Sequence, residues 1–128
     1  MIRKMTEEDR ETVGEWIGDR FAGYGNINML PSLGYMVDEK CAFFVYTVDN
    51  APVCFVEWIV TDPNITPRES VSALKEAANE ISNFASYMKE SEILTYTILS
   101  NAKLVKIFER VGFTVGCKNE TTLIFGGL

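Results

Sequence analysis

The chain has 128 residues, 47% of them hydrophobic and 23% charged, and a net charge of −6. That suffices for one domain, residues 1–128, with an ordinary core, and the charge counts against a broad nucleic-acid footprint, where neutralising phosphates dominates affinity. The absence of histidine removes Ser-His and Cys-His catalysis and His-based zinc sites.

Ile2 to Met5 is predicted as a short strand. Thr6 then caps a helix whose first turn carries Glu7, Glu8 and Asp9, with Val13, Trp16 and Ile17 as its buried face. Asp19 to Leu33 reads as a loop, and Gly34 to Asp38 as a strand. Cys41 to Val48 is aromatic and β-branched, as strands are. Asp49-Asn50 turns the chain into Pro52 to Thr61, which completes a hairpin, and Asp62-Pro63-Asn64 ends it. Thr66-Pro67-Arg68-Glu69 combines a cap, a proline suited to the first helical position and a capping-box glutamate. Val71, Leu74, Ala78, Ile81, Ala85 and Met88 then mark the apolar stripe of a helix reaching about Lys89.

Ile93 to Leu99 is the next strand. Asn101 caps a short helix in which Leu104, Ile107, Phe108 and Val111 share one face. Gly112 stops it in the left-handed conformation, and Phe113 folds back toward Phe108. Phe113 to Cys117 and Thr121 to Phe125 are predicted as a closing hairpin around Lys118-Asn119. The long helix is a crossover between two parallel strands, so the fold class is α/β: a mixed central sheet flanked by helices. The three cysteines, Cys41, Cys54 and Cys117, read as reduced core residues without a metal-binding spacing, so no metal is expected. Residues 1–10 are charged and lack a signal-peptide core, and no run is long and apolar enough for a membrane helix, so the expected location is the cytoplasm, with no membrane partner.

Asn101, Glu109, Arg110, Gly112 and Phe113 fall at the spacing of the motif N-x-x-A-x-x-L-Y-E-K-x-G-F, with Leu104, Ile107 and Phe108 standing in for its Ala, Leu and Tyr. Together with the element order, this resembles the GNAT superfamily of N-acetyltransferases, in particular its small, divergent members often encoded by bacteriophages. The resemblance implies a GNAT-like fold and transfer of an acyl group from acetyl-CoA, or another acyl-CoA, to an amine on a small molecule or protein. It also implies that the strand before the long helix splays from its parallel neighbour. Backbone at Trp58, Ile59, Val60 and Thr61 would then meet the pantetheine arm and thioester, and Asn101 would hold the arm. The family's pyrophosphate pattern, Q/R-x-x-G-x-G/A, aligns with Arg68-Glu69-Ser70-Val71-Ser72-Ala73. There Arg68, Ser70, Val71 and Ser72 would line the cofactor, although Val71 replaces a glycine and Glu69 brings negative charge.

Glu57 interrupts an otherwise apolar strand. Burying a carboxylate is costly and raises its pKa toward that of a base, so it is the candidate general base; the alternative is a solvent-facing or ion-paired glutamate. Phe108 stands where the family's tyrosine protonates the thiolate, which leaves Tyr96 as a substitute donor or as a core tyrosine. Phe21, Tyr24, Asn26 and Asn28 would line the acceptor site. The competing expectation keeps the fold without catalysis, as a binding or assembly module. A homodimer and base modification on nucleic acid stay open, the latter disfavoured by charge.

Overall fold

A computed structural model describes residues 1–18, 30–121 and 123, so the acceptor-site expectation for 19–29 lies outside the described residues. The elements are β1 (Ile2–Lys4), α1 (Glu7–Ile17), β2 (Gly34–Val37), β3 (Cys41–Thr47), β4 (Val53–Thr61), α2 (Pro67–Glu90), β5 (Leu94–Thr97) and α3 (Ala102–Arg110). Thr6 and Asp9 form a capping box at the start of α1. Asn101 accepts from the amides of Lys103 and Leu104 to start α3. At the end of α3, the Phe113 amide donates to the Phe108 carbonyl at 3.1 Å and the Gly112 amide to that of Glu109 at 3.2 Å. Gly112 has φ +107°, and the Phe108 and Phe113 rings meet edge to face at 5.2 Å. This is the glycine-closed helix end that the sequence predicts.

The sheet has the order β1-β2-β3-β4-β5, antiparallel except for the parallel pair β4–β5 that α2 connects. It is a mixed sheet with helices on both faces. Strand alternation divides the core accordingly. Val37, Cys41, Phe43, Val45 and Val56 pack against Ala73, Ala77, Ala78 and Ile81 of α2 and Phe108 of α3. On the other face, Met36, Ala42, Phe44 and Val60 pack against Val13 and Ile17 of α1.

Three expectations are corrected. Val71 is 44% exposed, because it sits at the edge of the helical stripe near the start of α2, and alanines carry most of the buried face of that helix. Phe113 to Cys117 forms no strand. Phe113 is held back onto Phe108 and residues 114–121 are exposed, so the alternating pattern has no surface to cover. Cys117 is therefore exposed, whereas Cys41 and Cys54 are buried; all three are free thiols. The second strand of that hairpin falls largely outside the described residues. No helix among the described residues is long and apolar enough to cross a membrane.

Candidate functional site

β4 and β5 pair over four positions only, from Val53–Leu94 to Val56–Thr97. β4 then continues to Thr61 paired, among the described residues, with β3 alone. From Glu57 onward its other edge is unpaired among the described residues, a notch in the hydrogen-bond ladder where β5 has ended. The run Trp58, Ile59, Val60, Thr61 lies along that notch.

The same stretch carries a bulge. Ala42 pairs with Val60 and Phe44 with Glu57, so three steps on β4 oppose two on β3. Trp58 takes up the extra residue with φ +55°. Positive φ in a bulky residue is rare and strained, and bulges re-aim side chains. Here the bulge switches the faces of β4. Val56 packs toward α2, yet Val60 packs toward α1. Glu57 lies opposite Phe44, and Trp58 joins the α1-side core, so two successive side chains share one face.

That face also holds tyrosines. Tyr46 pairs with Phe55, and Phe55 with Tyr96, whose rings lie 5.4 Å apart. The Trp58 indole N–H donates to the Tyr46 hydroxyl at 3.1 Å. Tyr46 thus accepts one bond and keeps its own proton to give. Burial, and secondarily the Glu57 charge, push the Tyr46 hydroxyl above its ordinary pKa, against the opposing pull of the Trp58 bond. Glu57 is partly buried and makes no ion pair or hydrogen bond among the described residues. Desolvation alone raises its carboxyl above 4.5. Tyr96 is 45% exposed. Glu57 and Tyr96 are thus on one sheet face, with Tyr46 beside them. Sequence reasoning missed Tyr46. The missing signal was the pairing register, which no local motif contains.

A second missed group is Thr97, the last β5 residue paired with β4. Its hydroxyl is buried and has no hydrogen-bond partner among the described residues. Paired with Val56, Thr97 faces α2, the sheet side opposite Glu57 and the tyrosines, where an unpaired buried hydroxyl costs stability.

The remaining expected site residues lie apart. Arg68, Val71 and Ser72 are exposed in the first two turns of α2. The Ser70 hydroxyl is hydrogen-bonded to that of Thr61 at 3.1 Å, tying this turn to the end of β4. The turn satisfies itself. Pro67 has no amide, the Glu69 amide donates to the Thr66 hydroxyl at 3.1 Å, and that of Ser70 donates to the Thr66 carbonyl at 2.9 Å. The Thr66 hydroxyl donates to Glu69, and Lys40 lies 3.5 Å from the same carboxylate. A diphosphate there would meet one uncommitted amide, that of Arg68, beside a negative charge. Asn101 has its carbonyl oxygen committed to capping, which leaves its NH₂ free. Phe108 is 2% exposed and belongs to the core between sheet and helices.

Cys41 offers no nucleophile, since burial pushes its thiol up to about 12. No cluster of three or more metal-ligating side chains occurs among the described residues. No model of a known protein family matches the chain, and no curated protein does.

Proposed function

We propose that the chain is a CoA-dependent N-acyltransferase that moves an acetyl or related acyl group to an amine, through a GNAT-like arrangement. The observation that carries this reading is the notch itself. β4–β5 pairing stops at Val56–Thr97 while β4 runs on for five residues, and the bulge and Glu57 lie where it stops. An extended amide-bearing arm is the ligand that such a strip of backbone suits, because it can add hydrogen bonds as a strand would.

The thioester supplies an activated carbonyl with a thiolate leaving group. The protein's task is to place an amine, take its proton and return one to sulfur. Glu57 fits the first proton, directly or through water, because desolvation makes it a better base without neutralising it by a partner. Tyr46 and Tyr96, on the same face, are the hydroxyls available for the second. The fit is incomplete at the diphosphate end, where the start of α2 is self-capped.

That self-capping, with Glu69 at the helix entrance, favours a second reading: a GNAT-like binding or assembly module without catalysis. Calorimetric titration with acetyl-CoA separates the two. Heat of binding and a raised melting temperature are expected. Neither effect at millimolar ligand rejects the transferase reading and leaves the module.

A further inference from the structure

α2 and α3 lie side by side, joined where the Ser82 hydroxyl donates to the Val111 carbonyl at 2.6 Å. One turn earlier on α2 they leave a groove of about 270 Å³ lined by Lys75, Asn79, Ile107, Arg110 and Val111. Lys75, Asn79 and Arg110 have no ion pair or side-chain hydrogen bond among the described residues. The nearby carboxylates are turned away. At 100° per residue, Glu76 and Glu80 fall on the other flank of α2, where they act on the Met1 amine. Glu109 lies about 100° round α3 from Arg110. Lys103 and Lys106 share the Arg110 side of α3 and add to a positive field in a chain of net charge −6.

Unpaired surface cations do little for stability. Two of them converging with a free amide on an apolar floor make a binding site instead. We propose that this groove binds a small phosphate ester whose remainder is flat or apolar, as in a mononucleotide. Lys75 supplies a compact charge, and Arg110 a fork matched to phosphate oxygens. Asn79 adds a directional donor. Ile107 and Val111 form the floor on which a base lies. The proposal is independent of the β4–β5 notch, since a nucleotide carries no thioester, and either claim survives failure of the other.

The test is titration of the full chain with AMP and with inorganic phosphate at low salt, followed by amide chemical shifts. The expected result is saturable shifts at Lys75, Asn79 and Arg110, with phosphate weaker than AMP because it leaves the floor uncovered. The double variant Lys75→Gln, Arg110→Gln should bind AMP about tenfold or more weakly, as for loss of a charge-assisted contact, with an unchanged melt. Lys89→Gln, at the far end of α2, should bind normally. Shifts absent up to about 10 mM AMP, or equal weakening by Lys89→Gln, overturn the proposal.

Discussion

For Glu57, the cost to the fold and the proposed use have one cause. Its carboxyl is raised by desolvation, so the folded protein disfavours its charged form. Above 4.5, the ordinary value that the unfolded chain keeps, ionisation costs more in the native state than in the unfolded one. Glu57→Gln removes that penalty. Its melting temperature should exceed the wild type's at pH 7, and the difference should vanish once pH falls below 4.5, where both forms are neutral. Acyl transfer, if Glu57 is the base, should fall about 10²- to 10⁴-fold. A variant that loses stability at pH 7 would instead mark a structural glutamate. Thr97→Val is the companion case. It keeps the shape and deletes a buried hydroxyl that has no partner among the described residues. Urea unfolding should show a gain of about 1 kcal/mol, since an unmade hydrogen bond is removed with the group that lacked it.

At the scale of elements, close approach sets the sheet's geometry. Gly34 opens β2 beneath α1, and a Cβ there would lie 2.7 Å from Met5 Sδ and 2.9 Å from the buried Phe44 ring. Gly34→Ala should therefore cost about 1–3 kcal/mol in urea unfolding, the usual price of overpacking, at unchanged m. Much at this scale was legible beforehand. The caps Thr6, Thr66 and Asn101, the β3–β4 hairpin, the crossover helix and the Gly112-Phe113 stop are local chemistry, and each element formed where its residues predict. What failed was non-local. An alternating run such as Phe113 to Cys117 becomes a strand only beside a free edge, and Phe113 is drawn to Phe108 instead. Val71 fits the helical period but lies at the edge of the buried stripe. For the site, Glu57 stood out as a charge in an apolar strand. The bulge at Trp58, the neighbour Tyr46 and the unpaired Thr97 depend on register, which is decided by how β3, β4 and β5 slide together.

For the whole molecule, pH and salt sort these charges by environment. Arg3 donates to Asp9 at 2.6 and 3.0 Å and to Glu39 at 2.8 and 2.7 Å, binding β1, the start of α1 and the β2–β3 turn in one cluster. Those bonds hold both carboxyls below their ordinary values of 3.8 and 4.5. Glu69 is held down by Thr66 and, less, by Lys40. Groups lowered in this way stabilise fully above their unfolded pKa values, and that stability is lost as pH falls through the lower native ones. Glu57 acts in the opposite sense, and the net charge of −6 adds repulsion that eases as carboxylates protonate. Stability should therefore rise as pH drops from 7 toward 5, then fall below 4.5 as Asp9, Glu39 and Glu69 lose their partners. Salt distinguishes the contributions. At about 1 M the Debye length shrinks to about 3 Å, so the exposed Arg3 cluster and the net repulsion are screened, while the desolvation of Glu57 is not. Melting curves across pH at low and high salt should show the acid fall made shallower by salt in wild type, with the gain of Glu57→Gln at pH 7 unchanged. If salt abolishes that gain, Glu57 responds to surrounding charge, and the desolvated base of the notch has to be given up.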